Sequence, residues 1–330
     1  MKVLFTGIQP TGLLHIGNYF GAIRNWVELQ GRYRSFVSIV DLHAMTIAYE
    51  PSRMPEQVFQ LALGLLACGI DADKTILFIQ SEVPGHADLT WVFNTLTPLG
   101  ELERMTQFKD KASRHRKNIN VGLLDYPVLQ AADILLYKGQ VVPVGEDQIQ
   151  HVEFTREVAR YFNTRYGETF PECEALLTAT PRVMGLDGES KMSKSQGNFI
   201  GLLEPREEIW AKLAPAKTDP ARIRRTDPGT PEICNIYSYH RLVTAEPELS
   251  ETIAQGCRTA GIGCLDCKRR LLNNLMGVLD PIQERHRSLE GRRNDVRDLL
   301  DRNAEVCRSD AARTILEVKE RTGLTPTWKI

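Results

Sequence analysis

The sequence predicts an α/β fold, a doubly wound parallel sheet followed by an all-α C-terminal region, and three observations carry that prediction. The chain opens with an apolar strand, a glycine-rich turn and a helix; apolar strands and amphipathic helices alternate across residues 1–200; beyond Gly201 strand patterns give way to helical ones. A boundary is therefore expected at 200/201, with an α/β part, 1–200, before it and a smaller helical part after it, 201–330.

Val3, Leu4 and Phe5 begin a buried strand that Thr6, Gly7, Pro10 and Gly12 break, and helical spacing starts at Ile16. A helix that opens with His15, Gly17 and Asn18 aims free N–H groups and the positive end of its dipole into the turn, where an anion fits. Gly, His and Asn alone fit an ordinary strand-to-helix turn equally well.

Tyr33 to Asp41 reads as the second strand and runs into Asp41-Leu42-His43-Ala44. Ligands bind at this end of parallel strands, so His43 is a site candidate, although a core or capping histidine fits the same pattern. Met54 to Cys68 is an amphipathic helix and Lys74 to Gln80 the next strand. From Gly100 to Lys117 the chain carries Arg104, Lys109, Lys111, Arg114, Arg116 and Lys117 and reads as a mobile basic loop, either a solvated face or a receiver of phosphates. Tyr126-Pro127 is expected to open a helix, with proline in its first turn. Within that helix Asp133 stands among apolar neighbours and needs donors to satisfy it. The strand Val141 to Val144 leads into Gly145-Glu146-Asp147-Gln148, the opening of a helix through Asn163 at another strand's carboxyl end. The helical part is expected to hold helices over Leu203–Leu213, Glu232–Leu242, Lys268–Arg287 and Arg293–Arg321.

With 330 residues, 42% apolar and 25% charged, the chain has material for one large domain and a smaller one. A formal net charge of -1 gives no global attraction to nucleic acid, so an RNA partner requires local basic patches. The N-terminus lacks the features of a signal peptide, and no run approaches the roughly 18 apolar residues of a membrane span, which points to a cytoplasmic protein without a membrane partner. Seven cysteines, an odd number, argue for thiols or metal ligands rather than a disulfide framework. Four of them, Cys234, Cys257, Cys264 and Cys267, are spaced C-x22-C-x6-C-x2-C, a set that suits zinc, a 4Fe-4S cluster or unrelated structural thiols. Arg258, Lys268, Arg269 and Arg270 beside them would make a basic surface for RNA phosphates.

Lys191-Met192-Ser193-Lys194-Ser195 lies in a loop bracketed by Gly185, Gly188 and Gly197. Together with His15-Ile16-Gly17-Asn18 it resembles the two signatures of class I aminoacyl-tRNA synthetases, in the expected order. The segments GIQPTGLLHIGNYFGA, DLHA, GELERMTQFKDK, DYPVLQAADILLY and VPVGEDQIQHVEFTREVARYFN narrow the resemblance to the tryptophanyl branch and cover most of residues 1–200.

The resemblance implies a Rossmann-like catalytic domain that joins L-tryptophan to tRNA(Trp) through an aminoacyl-adenylate, using ATP and Mg2+. It implies that Gln9, Pro10, Thr11, His15, Gly17 and Asn18 hold the phosphates. Gly145, Glu146, Asp147 and Val183 would hold ribose and adenine, and Lys191, Met192, Ser193, Lys194 and Ser195 would close over the leaving pyrophosphate, with Lys191, Lys194, His15 and Asn18 as the catalytic set. Phe5, His43, Tyr126, Gln130, Asp133, Val142, Val144 and Gln148 would line the tryptophan pocket, with Asp133 accepting from the indole N–H, which is a donor only. The cysteine quartet matches the iron-sulfur branch of these synthetases, which implies a 4Fe-4S cluster, zinc being the alternative, in a helical domain that reads the anticodon; the family also implies a homodimer.

Gln130 departs from the tryptophan pattern, which has Met there, and a Gln three residues before an Asp is also reminiscent of tyrosyl-tRNA synthetases. Tyrosine is therefore the alternative substrate. A non-catalytic RNA-binding paralogue needs neither signature loop, and an iron-sulfur redox protein would carry a flavin or nicotinamide fingerprint, which is missing.

Overall fold

A computed structural model describes residues 1–106, 119–177, 183–244 and 247–325. The sheet contains β1 (Val3–Ile8), β2 (Arg34–Ile39), β3 (Thr75–Ile79), β4 (Val141–Val144) and β5 (Glu174–Leu177), all parallel, in the order β3-β2-β1-β4-β5. Phe5 pairs with Phe36 and Leu4 with Val141, so the strand order reverses at β1 and leaves a crevice beyond the carboxyl ends of β1 and β4. This is the Rossmann-like doubly wound sheet expected from the sequence.

The helices in chain order are α1 (16–29), α2 (Asp41–Ala44), α3 (Met54–Ala67), α4 (Gly85–Asn94), α5 (Leu99–Arg104), α6 (Val121–Leu136) and α7 (Ile149–Tyr166). The C-terminal region adds α8 (Arg206–Leu213), α9 (Asn235–Val243), α10 (Pro247–Arg258), α11 (Cys264–Glu290) and α12 (Arg293–Thr322). Gly100 to Arg104 is thus helical rather than loop; the basic residues Lys109, Lys111, Arg114, Arg116 and Lys117 lie outside the described residues. The helix expected to begin at Tyr126 begins at Val121, capped by the Asn120 side chain, which accepts the Leu123 N–H at 2.9 Å. Pro127 therefore sits inside it, where its missing N–H leaves one rung unmade but the fully buried Val128, Ala131, Ala132 and Leu135 hold the helix against the sheet. The helices expected over Leu203–Leu213 and Glu232–Leu242 start later, at Arg206 and Asn235, because Pro205 and the turn Pro231–Ile233 precede them.

Two hydrophobic cores cover the two faces of the sheet. One joins Ile16, Phe20, Leu63 and Leu77 to Leu271, Leu275, Leu279 and Ile282 of α11. The other joins Phe5, Phe36, Phe78, Leu135 and Phe162 to Cys307, Ala311 and Val318 of α12. The last helix therefore returns from the C-terminal region and packs on the parallel sheet. Asn303 donates to the Leu77 carbonyl at 2.9 Å, and Arg34 pairs with Asp310 at 2.5 Å.

Candidate active site

β1 runs out at Ile8, and the chain turns through Gln9, Pro10 and Thr11 to Gly12, whose φ of +115° only glycine adopts readily. His15 is the N-cap of α1, with its side chain accepting from the Asn18 N–H at 3.3 Å while Asn18 Oδ1 accepts from the His15 N–H at 3.1 Å. Because Nδ1 is the acceptor, a neutral His15 carries its proton on Nε2, which can donate to an anion. Burial, and then the charges of Lys194 and Lys191, push His15 down to about 4, so the ring is neutral.

The Lys191–Ser195 loop lies directly on this turn. A Cβ on Gly17 would stand 2.9 Å from His15 Nδ1 and 3.3 Å from the Met192 Cβ, so the helix start and the loop meet where no side chain fits. Backbone bonds join the two further: Ile16 N–H to the Ile200 carbonyl at 3.0 Å and Leu202 N–H to the Leu14 carbonyl at 3.0 Å. Met192 N–H reaches the Val183 carbonyl at 3.1 Å, and Ser193 Oγ is 3.2 Å from Ser195 Oγ. Lys191 Nζ stands 3.8 Å from Asp147 Oδ2, which carries the loop to the end of β4, where Gly145 precedes the turn Glu146–Gln148. Lys194 is held down to about 8 by burial. Two cations, a helix N-terminus and a donor imidazole thus converge on one crevice, an arrangement that binds and neutralises polyphosphate.

Beside it lies a buried polar cluster on the floor of the sheet. Asp133 is 1% exposed, and its carboxylate takes His43 Nε2 at 2.8 Å on one oxygen and Gln80 Nε2 and His86 Nδ1, both at 2.7 Å, on the other. Burial alone would raise this carboxyl, but the hydrogen bonds from His43 and His86 outweigh it and keep the group below its ordinary value. Three donors against about four lone-pair sites leave room for one more. Tyr126 is buried with its hydroxyl 2.9 Å from His151 Nε2 and its ring edge-on to His43. Phe5, Val142 and Val144 are buried strand residues, whereas Gln130 and Gln148 are partly buried.

Sequence reasoning found Asp133 and His43 but missed Gln80 and His86. Gln80 follows β3 as Asp41 follows β2, so the rule that singled out His43 applied to it as well. His86 had no such signal.

In the C-terminal region all four quartet cysteines are free and partly buried. Burial first, and then the neighbouring Cys234, Cys257 and Cys264, raise Cys267 to about 12, so the other three thiols lie near it. Cys264 and Cys267 occupy the first turn of α11, and Arg222 Nη1 reaches Cys257 Sγ at 3.6 Å. Lys268, expected on a basic surface, is instead buried with its ammonium donating to the Ala214 and Ala216 carbonyls, both at 2.6 Å, which leaves Arg269 and Arg270 exposed. Among the described residues no group of three or more His, Cys, Asp or Glu is arranged to hold a single metal ion.

Residues 2–280 match the family model of tRNA synthetases class I (W and Y). The chain is 51% identical over 328 residues to a tryptophan–tRNA ligase of Deinococcus radiodurans, covering 98% of this chain and 99% of that one. It is 44% identical over 328 residues to a tryptophan–tRNA ligase of Thermotoga maritima, again covering 98% and 99%. In structure it resembles the tryptophanyl-tRNA synthetase of Campylobacter jejuni complexed with ADP and tryptophan, with a TM-score of 0.87, 33% identity and coverage of 98% and 100% of the two chains. With the His15 turn, the Lys191–Ser195 loop and the reversed sheet in one crevice, this chain belongs to the class I tRNA synthetases for tryptophan and tyrosine.

Proposed function

We infer that this chain activates L-tryptophan with ATP and transfers it to tRNA(Trp). The observation that carries this reading is the buried, ionised Asp133 beside the phosphate-binding crevice. A fixed acceptor suits the indole N–H, and the relatives at 51% and 44% identity are tryptophan–tRNA ligases.

In the reaction the tryptophan carboxylate forms a bond to the α-phosphorus of ATP, and the bond from that phosphorus to the bridging oxygen of pyrophosphate breaks. No covalent enzyme intermediate is required. His15 Nε2, the α1 N-terminus with Gly17 and Asn18, and the Gln9–Thr11 turn are assigned to the phosphates. Gly145, Glu146, Asp147 and Val183 are assigned to ribose and adenine. Lys191 and Lys194 neutralise the departing pyrophosphate, with Met192, Ser193 and Ser195 shaping the loop that carries them. Magnesium would arrive with the nucleotide. Phe5, Tyr126, Val142, Val144, Gln130 and Gln148 complete the indole pocket around His43 and Asp133. The position of Gln130, one helical turn before Asp133, favours tyrosine as the second reading.

Residues 1–200 form the catalytic part in this reading, and 201–330 carry tRNA binding. The closeness of Cys234, Cys257 and Cys264 to Cys267 supports a shared metal site, which the sequence spacing assigns to a 4Fe-4S cluster with zinc as the alternative. When bound, a cluster would cross-link α11 to the segment before α9 and to α10. The exposed Trp91 and Met45 line a groove of about 350 Å³ and support the homodimer. No described helix is long and apolar enough to cross a membrane, and the cytoplasm is the compartment where tRNA charging requires the protein.

ATP–pyrophosphate exchange tests the activity. Exchange that depends on tryptophan supports the reading, and exchange that depends on tyrosine replaces it. Iron and acid-labile sulfide on anaerobically purified protein test the cluster: about four of each per chain support it, and zinc or no metal removes it.

A further inference from the structure

The Lys191–Ser195 loop grows from a short stem, and that stem is held by α9, a helix of the C-terminal region with no part in the reaction as described. Met184 and Lys191 form an antiparallel bridge, closed by the Gly185 N–H on the Ser190 carbonyl at 2.7 Å and the Met192 N–H on the Val183 carbonyl at 3.1 Å. From α9, Asn235 Nδ2 reaches the Gly185 carbonyl at 2.7 Å and the Tyr239 hydroxyl reaches the Met184 carbonyl at 2.6 Å. Asn235 and Tyr239 are one helical turn apart and so share a face of α9.

The bonds have a fixed direction. Carbonyl oxygens only accept, so the Asn235 amide nitrogen and the Tyr239 hydroxyl must donate. Tyr239 is 2% exposed, and burial pushes its hydroxyl well above its ordinary value, so it keeps the proton it donates. Asn235 Nδ2 also lies 3.3 Å from the Tyr239 oxygen, which can accept while its own hydrogen goes to Met184. The stem in turn touches the loop. A Cβ on Gly185 would stand 2.0 Å from Asn198 Nδ2, and Asn198 Oδ1 accepts the Ser193 N–H at 2.8 Å, next to Lys194. At the other end of α9 the Leu242 carbonyl accepts from Arg24 of α1 at 3.3 Å, and Ile236 and Tyr239 share a core with Ile16 and Met192. One helix of the C-terminal region therefore touches both the His15 helix and the lysine loop.

We propose that Asn235 and Tyr239 are positioning residues for the activation step: through Gly185 and Met184 they hold the Lys191–Ser195 loop where its lysines meet the phosphates, so that α9 sets the efficiency of ATP use. The proposal rests on the reading of this loop as the element that closes over the pyrophosphate. Its effect is confined to the nucleotide, since the bonds of Asn235 and Tyr239 reach none of the residues assigned to the tryptophan pocket.

The test uses the full chain. ATP–pyrophosphate exchange with ATP varied reads the loop, and equilibrium dialysis of tryptophan without ATP reads the pocket. Tyr239→Phe keeps the buried ring and removes only the hydroxyl; Asn235→Asp keeps the shape and removes both N–H donors. Each should lower kcat/KM for ATP about fivefold, equivalent to about 1 kcal/mol, and leave tryptophan affinity within about twofold. In a Lys194→Ala background the same changes should cost less than about twofold, because the loop no longer carries the lysine that they place. Fivefold losses that persist in that background, an equal fall in tryptophan affinity, or a lower melting temperature with unaltered kcat/KM would each show packing alone and overturn the proposal. Lys194→Ala by itself separates this from the underlying reading. If that variant retains full exchange, the loop does not close over the pyrophosphate; if it loses exchange while the Tyr239 and Asn235 variants behave as the parent, only the positioning role fails.

Discussion

His15 and Asn18 bond each other reciprocally, ring nitrogen to backbone N–H and side-chain oxygen to backbone N–H. Two residues read from the sequence as phosphate binders are thus also the cap that starts the helix, and the same bond leaves His15 Nε2 as the outward donor. A neutral ring is part of this arrangement, and stability should report it. The folded value near 4 lies below the ordinary 6.5. Between those values the unfolded chain binds the extra proton, so stability is complete above 6.5 and is lost as the pH falls towards 4. His15→Asn keeps a capping acceptor and removes the titration. From pH 7 to 5 the parent should lose about 2 kcal/mol more than the variant in urea unfolding. Equal losses would mean that His15 is already charged in the folded protein.

Gly17 is required by contact rather than by backbone conformation. Gly17→Ala would drive a methyl group into the His15 ring and against Met192, displacing the Lys191–Ser195 loop. KM for ATP should rise at least about tenfold, and because Met192 is buried in the core with Ile16 and His15 caps the helix, the melting temperature should fall by a few degrees as well. An unchanged KM for ATP would place the nucleotide elsewhere.

Lys194 gives a pH signature of opposite sense. Burial brings its ammonium down to about 8, so in the free protein the charge is lost as the pH rises through that value. The plot of kcat/KM for ATP should bend downwards near pH 8, and the limb in kcat should lie at higher pH, since bound phosphate favours the charged form. Lys194→Arg should remove the bend at reduced overall rate, the guanidinium being always protonated. A bend that survives in the arginine variant would belong to another group.

Most of the sheet was legible because buried parallel strands are continuous apolar runs, as VLF and SFVSIV show. β5 was not, since Glu174-Ala175-Leu176-Leu177 is a short edge strand made of good helix formers and acquires its conformation from pairing with β4. The start of α6 was misplaced because Pro127 looks like a first-turn proline, whereas the signal was the Asn120 cap. Asp133 was conspicuous as a lone carboxylate in an apolar helix, but His86 and Gln80 lie 47 and 53 residues away on other elements, and no local periodicity connects them.

Separation of function follows from where the quartet sits. Cys264 and Cys267 open α11, Cys234 immediately precedes α9, and Cys257 lies in α10, none of them among the residues assigned to the crevice. α11 nonetheless contributes Leu271, Leu275 and Leu279 to the core that holds α1 and α3. A serine at Cys264 should therefore act on two properties and spare a third. Loss of a metal-bound cross-link should lower the melting temperature by several degrees, and disorder around Arg258, Arg269 and Arg270 should reduce tRNA charging at least about tenfold. ATP–pyrophosphate exchange, which needs only the crevice, should stay within about threefold, because the apolar residues of α11 remain to hold the sheet. Equal damage to exchange and charging would instead make the quartet a support of the catalytic part, and no change in melting temperature or charging would mean that these four thiols hold nothing.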